Sequence, residues 1–270
     1  MSGNFYIDFW YFIIYSFLGW GTEIVYCSVL NRRVVNRGFL NGPVCPIYGC
    51  GALLVIIVLK PFAESIMLVF VGGLILASIL EYITSFIMEQ LFHTRWWDYS
   101  KKKLNINGRV CLLNSVLFGM LSMITIFFIQ PRIEILVGKT PYVAIQAGAI
   151  TLMLVMTIDL TITVETVYNL NEKMQRLKDL SAELKEWLDE KELYIEEKLE
   201  DRITLVRTNI EQNKLVSKGL GRLISEFHRV QTHSKFGHRR LINAFPTMKS
   251  KHFQIQLQLL KEAIKKQRNN

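Results

Sequence analysis

Cysteine is scarce in this chain: four residues in 270, Cys27, Cys45, Cys50 and Cys111, each in or beside an apolar segment. They offer neither a secreted-type disulfide framework nor a paired CxxC zinc site, and read as reduced thiols that pack like small apolar side chains. Histidine gives no zinc site either. His228, His233, His238 and His252 fall off finger spacing with no cysteine nearby, and are expected to be solvated or interfacial. No P-loop is present. Gly138-Lys139-Thr140 matches the end of one, but position 133 is Ile where the first glycine belongs, so Walker-type ATP hydrolysis is not expected of this chain. No secretory leader is expected: Met1-Ser2-Gly3-Asn4 carries no basic n-region, and the first apolar run is too long for an h-region. No cofactor and no metal is read from the sequence.

What the chain does have is hydrocarbon. Half of its residues are hydrophobic and 20% are charged, and the two are segregated. Residues 1–170 carry a net charge of +2, residues 171–202 of −4 and residues 203–270 of +11. Five segments approach or reach the roughly 20 apolar residues that cross a bilayer. They are Phe5–Val29, Val44–Leu59, Ile66–Met88, Val110–Gln130 and Tyr142–Thr166, the second short and Gly-rich at its start. Basic residues orient such a bundle. One set of loops holds Arg32, Arg33, Arg37, Arg95, Lys101, Lys102, Lys103 and Arg109, and the other only Lys60, Arg132 and Lys139. That asymmetry predicts a multi-pass cell-membrane protein with its N-terminus outside and its tail in the cytoplasm. The expected fold is all-α, a polytopic membrane bundle of about five transmembrane helices with a cytoplasmic helical tail. Residues 1–168 form the transmembrane domain, 169–215 a long amphipathic helix and 216–270 a basic helical end.

Carboxylates inside such a bundle cost about 2–3 kcal/mol each by insertion scales, so each needs a partner or a polar cavity. Glu23, Glu81, Glu89, Asp159 and Glu165 all fall in the half of their helices nearer the basic loops. Glu89, Asp159 and Glu165 fit an interfacial place beside basic residues. Glu23 and Glu81 lie deeper and are expected to line one polar cavity, partnered by Arg37 or Arg109. Glu81, Ser85 and Glu89 share a face of the third helix at i, i+4 and i+8, as Ser16, Trp20, Glu23 and Cys27 do on the first. Asn114 enters the fourth helix from the same side. The loop from Asn31 to Gly51 is rich in glycine and carries Pro43 and Pro46, and such irregular backbone survives at membrane depth only when buried in protein or lining a wet cavity. The next basic loop carries a Trp pair suited to headgroup level, beside Asp98 and Tyr99.

Gly19-Trp20 and Glu23, Asn36 to Leu40, Gly42-Pro43, Pro46 to Gly49, Glu81-Tyr82, Ser85, Glu89, Trp96 to Ser100 and Asn107-Gly108-Arg109 form a combination. It resembles the bacterial membrane family titled "Putative ABC-transporter type IV", the CmpB-like permeases, over about residues 8–130. A weaker echo lies in the tail at Arg240-Leu241, Ala244, Phe245 and Pro246. The resemblance implies a bacterial permease-like protein whose motif residues face the cytoplasm, and a separate ATPase subunit as partner.

From Asn169 to Asn213 the tail has no Gly or Pro, and Leu177, Leu180, Leu184, Leu188, Ile195, Leu199, Ile203, Val206 and Ile210 recur at about 3.67 residues per turn. That period predicts an amphipathic helix with a partner: a second copy, another subunit or its own C-terminal helices. Under a membrane the +11 end most simply meets anionic lipid headgroups, at roughly 1 kcal/mol per basic residue; a protein is the next choice, and nucleic acid is not the expected partner. Three functions stay open. One is a transporter permease component whose substrate or ion site draws on Glu23, Arg37, Asn41, Tyr48, Glu81, Ser85, Glu89, Asp98, Asn107, Arg109 and Asn114. Another is a membrane-embedded enzyme acting on a lipid or lipid-linked substrate, with Glu23 or Glu81 as base and Arg37 and Arg109 on phosphate. The third is a scaffold signalling through its tail.

Overall fold

The computed structural model describes the backbone of residues 4–31, 36–190, 217–233 and 235–269. The chain divides into two compact units: Met1–Thr166 with Arg240–Lys249, and Val167–Arg239 with Ser250–Asn270.

The first unit is an all-α membrane bundle. Its helices are α1 (Phe5–Asn31), α2 (Pro46–Leu59, followed by a 3₁₀ turn at Lys60–Phe62), α3 (Ile66–Phe92), α4 (Leu112–Ile124), α5 (Gln130–Gly138) and the start of α6 (Tyr142–Glu190). Among the described residues, Ile66–Phe92, Leu112–Gly138 and Tyr142–Glu186 are long and apolar enough to cross a membrane. Ile66, Met67, Ile75, Ile79, Ile83, Leu154 and Ile158 are exposed on these helices, an apolar surface that suits lipid rather than water. At 27 residues α1 also has the length of a span, although Asp8 and its tyrosines and tryptophans dilute its apolar character. Helix α2, at 14 residues, rises about 21 Å, less than the roughly 30 Å hydrocarbon core.

Small residues let α1 and α2 approach closely. A Cβ on Gly49 would stand 2.3 Å from Ser16 Oγ and 2.5 Å from the Phe12 carbonyl oxygen, so only glycine fits. Helices α3 and α4 are joined by a 2.7 Å hydrogen bond between Ser78 and Ser115. At the end away from the basic loops, Tyr15 donates to Gln130 at 2.8 Å, Gln130 donates to Glu134 at 2.9 Å, and Lys60 pairs with Glu134 at 2.5 Å. Gln130 is 2% exposed, inside the bundle.

The fourth span departs from the sequence reading. It does not stop at Gln130 but passes through a π-helical segment, Thr125–Ile129, into α5, which ends at Gly138. Pro131 sits in the first turn of α5, where a missing N–H costs little, and the wider π turn accommodates it. The same span begins at Leu112, because Val110 and Cys111 form a strand. Helix α6 continues past Thr166 without a break to Glu190.

In the second unit, α6 buries Leu170, Met174, Leu177, Leu180 and Leu184. Its companions are α7 (Ser217–Thr232), the start of α8 (Phe236–Ala244) and α9 (Gln254–Asn269), which contribute Phe227, Leu257 and Leu260 to the buried core. Lys173 Nζ donates to the His233 carbonyl at 2.9 Å, Arg176 pairs with Glu226 at 2.6 Å, and Lys178 lies 5.8 Å from the Phe253 ring. Over this stretch the amphipathic face is covered by the chain's own C-terminal helices. Residues 191–216 lie outside the described residues, and with them the predicted positions from Ile195 to Ile210, as do Arg32 and Arg33 and the side chains of Cys27 and Leu188. His238 is 4% exposed, against the expectation of a solvated or interfacial residue: helix α8 turns it inward.

Candidate functional site

The loop from Asn36 to Cys45 has no regular structure, yet side chains satisfy its backbone. The Asn36 carboxamide oxygen accepts from Trp20 Nε1 at 2.8 Å and from the Gly38 amide at 3.1 Å, while its nitrogen donates to the Asn41 carbonyl at 3.1 Å. Asp159 of α6 accepts from the amides of Asn41 and Gly42, at 2.9 and 2.7 Å, and from the Asn41 side chain at 2.9 Å. Arg240 supplies the donors that the carbonyls need: its guanidinium donates to Gly38 and Phe39 at 2.8 Å and to Leu40 at 2.9 Å. The Cys45 amide donates to the Ser16 carbonyl at 2.9 Å. An acid beneath the amides and a base above the carbonyls make irregular backbone tolerable where water is scarce.

The second basic loop carries a hairpin of β1 (Asn105–Ile106) and β2 (Val110–Cys111), paired antiparallel with Asn105 opposite Cys111 and Ile106 opposite Val110. Its turn holds Asn107 and Gly108 at φ 52° and 66°, and the Arg109 amide returns to the Ile106 carbonyl at 3.0 Å. Two consecutive left-handed residues are what an Asn-Gly turn supplies. The hairpin presents Arg109, 7% exposed, to α3. Arg109 donates to Ser85 at 3.1 Å and pairs with Glu89 at 2.9 Å, with its guanidinium 5.7 and 5.5 Å from the rings of Tyr82 and Phe86. Arg95 pairs with the same Glu89 oxygen at 3.1 Å, and Asn107 donates to Tyr82 at 3.0 Å.

The two loops meet. Trp96, 2% exposed, stacks edge-on against Phe39 at 5.1 Å and against Phe245 at 5.1 Å, with Phe92 at 6.2 Å. Residues 240–249 therefore clasp both loops, and Lys249 completes the clasp with a 2.5 Å pair to Asp98. Burial acts to raise the Asp98 carboxyl, but Lys249 and the Ser100 donors outweigh it and hold it at about 2.

Beneath the loops lie the deep carboxylates. Glu23 pairs with Arg37 at 3.3 Å and accepts from the Tyr48 hydroxyl at 2.7 Å. Glu81, 6% exposed, accepts from the Tyr99 hydroxyl at 3.2 Å, and Glu23 is near enough for the two carboxylates to repel. Burial, then the facing Glu81, pushes the Tyr99 phenol above its ordinary value, so it stays protonated and donates. The second oxygen of Glu81 has no hydrogen-bond partner among the described residues. An apolar groove of about 340 Å³ lies between α1 and α6, lined by Phe17, Leu18, Pro43, Val155 and Met156, and reaches Asp159 but neither deep carboxylate.

The sequence-derived residues thus fall into three groups. Glu23, Arg37, Tyr48 and Glu81 form one cluster; Ser85, Glu89, Asn107 and Arg109 form another along α3; Asn41 belongs to the Asp159 clamp. Asp98 serves the clasp, and Asn114 is half-buried in the first turn of α4, in none of these contacts. Sequence reasoning left out Tyr99, Asp159, Asn36 and Arg240. Asp159 was visible as an acid in a span, and Arg240 as part of the tail echo, but their partners lie 117 to 202 residues away.

Comparison with curated proteins and with solved structures finds no match. A family model does match, over residues 10–164, which cover both loops, both deep carboxylates and Asp159 and reach from within the first helix into the last span. This membrane protein belongs to the family described as "Putative ABC-transporter type IV".

Proposed function

We propose that the chain is the permease component of a transporter, and that its substrate or ion path passes the cluster of Glu23, Arg37, Tyr48, Glu81 and Tyr99. The observation that carries this reading is Glu81. A carboxylate almost wholly buried in an apolar helix, with one oxygen unpartnered among the described residues, is costly and marks ion and substrate paths in membrane proteins. Glu23 beside it, and the hydroxyls of Tyr48 and Tyr99, extend the polar surface toward the basic loops. In this reading those loops, with Arg37, Arg95 and Arg109, lie on the cytoplasmic side with the tail. The second group, Ser85, Glu89, Asn107 and Arg109, borders the path, with Asn41 and Asp98 fixing the loops above. With no P-loop of its own, the permease draws on a separate ATPase chain that docks where the clasped loops are presented.

The test is purification of the tagged full-length protein in mild detergent, with bound proteins identified by mass spectrometry. A stoichiometric ATPase subunit, lost when the loops are altered, supports the reading. Recovery of bound phospholipid and no ATPase would overturn it in favour of an enzyme acting on lipid.

A further inference from the structure

Among the described residues the cluster has one cation for two acids. Glu23 and Glu81 repel each other, and Arg37 is committed to Glu23 at 3.3 Å. The next guanidinium along α3, Arg109, is occupied by Ser85 and Glu89. From α2 and from the second loop the cluster is faced by the hydroxyls of Tyr48 and Tyr99, each donating to a carboxylate and neither carrying charge. Counting the described residues, a surplus negative charge therefore lies in a site that is 94% shielded at Glu81, where an uncompensated ion is costly. Something positive must join it. A hard metal cation collects about six oxygens, whereas among the described residues the carboxylate oxygens here that accept no hydrogen bond are two, the second of Glu81 and the second of Glu23, and the latter already faces Arg37 at 3.3 Å.

We propose that the missing charge is a proton: Glu81, set against Glu23, is an exchangeable proton site, and the species the cluster binds in the transport cycle is H⁺. The inference rests on the permease reading and names the ion of that path. Proton uptake forms one O–H bond at the open oxygen of Glu81, and release returns the proton to water with no other bond broken. Tyr99 meanwhile stays on the opposite oxygen. Loss of the proton restores the repulsion between Glu23 and Glu81, so the two states differ in the force between α1 and α3.

The experiment is infrared difference spectroscopy of the full-length protein in nanodiscs, titrated with pH and read at the carbonyl stretch of neutral carboxyl groups. One band titrating with a single midpoint is expected. It is lost in Glu81→Gln, which keeps the acceptor for Tyr99, and is kept with a moved midpoint in Glu23→Gln. Should Glu81→Gln fail to fold, Tyr99→Phe is expected to keep the band and move its midpoint. A band unaffected by Glu81→Gln, or by Tyr99→Phe where that variant replaces it, overturns the proposal. So does a band that sodium or potassium abolishes at constant pH, which marks a metal-cation site. Protonation is read here without any transport, so the permease reading fails separately, by the absence of an ATPase partner, while the band persists.

Discussion

Arg240 offers the sharpest perturbation, because one side chain satisfies three carbonyls of an otherwise irregular loop. A hydrogen bond from a charged donor contributes about 1.5–3 kcal/mol net. Three from one guanidinium do not add in full, and Arg240→Ala also relieves the cost of half-burying a charge. The balance is a loss of about 2–4 kcal/mol in the closed loop. At about 1.4 kcal/mol per tenfold, the opening constant of residues 36–45 rises about 25- to 700-fold. Hydrogen exchange of the full-length protein, read by mass spectrometry on peptides covering 36–45, measures that factor directly, with α3 peptides as the internal control. Arg240→Lys keeps the charge but not the planar fork, so it should recover a minor part of the protection. If Arg240→Ala leaves the loop exchanging at the wild-type rate, Arg240 does not hold it, and its three hydrogen bonds contribute no net stability there.

Gly49→Ala places a methyl 2.3 Å from Ser16 Oγ and 2.5 Å from a backbone oxygen, so it should cost about 1–3 kcal/mol or more and lower the yield of folded protein on size-exclusion chromatography. Asp98 has its folded value depressed from 3.8 to about 2, so the stability it contributes is present above about 4 and lost as pH falls toward about 2. Proteolysis of the 240–249 segment should accelerate across that window, and Lys249→Met should weaken the dependence. His238 runs the other way: burial first, then the charges of Lys173 and Lys235, lower it from 6.5 to about 4. The unfolded chain then binds the proton first, so the second unit should lose stability as pH falls from about 6.5 to about 4. Chemical denaturation followed at several pH values should show this, and His238→Leu should abolish it.

The spans were legible because runs of apolar residues have no other use at that length, and the cluster was half legible for the same reason: an acid in such a run has to be accounted for. Glu23 and Arg37 are 14 residues apart in sequence, close enough to pair on reading alone. Tyr99 was seen only as a residue that a headgroup anchor left unexplained, since nothing local ties it to Glu81. The hairpin had a plain signal, Asn107-Gly108 between Ile106 and Val110, hidden by the longer apolar run that follows. The fourth span runs on past Gln130 because Pro131, a residue type that ends most helices, follows a π turn here. Asp159 and Arg240 act through partners more than a hundred residues away, and no periodicity carries that information.

The clasp of residues 240–249 also fixes an order of events during synthesis. The last span ends near Thr166, and Arg240 follows 74 residues later. At 5–20 residues per second, roughly 4–15 s pass between completion of the spans and the appearance of the side chain that closes the first loop. For that interval every nascent copy displays both basic loops bare, with Trp96 lacking Phe245 and Asp98 lacking Lys249. A chaperone or a partner subunit that binds the loops has its best access then, and any message truncated before residue 240 yields a protein held permanently at that stage.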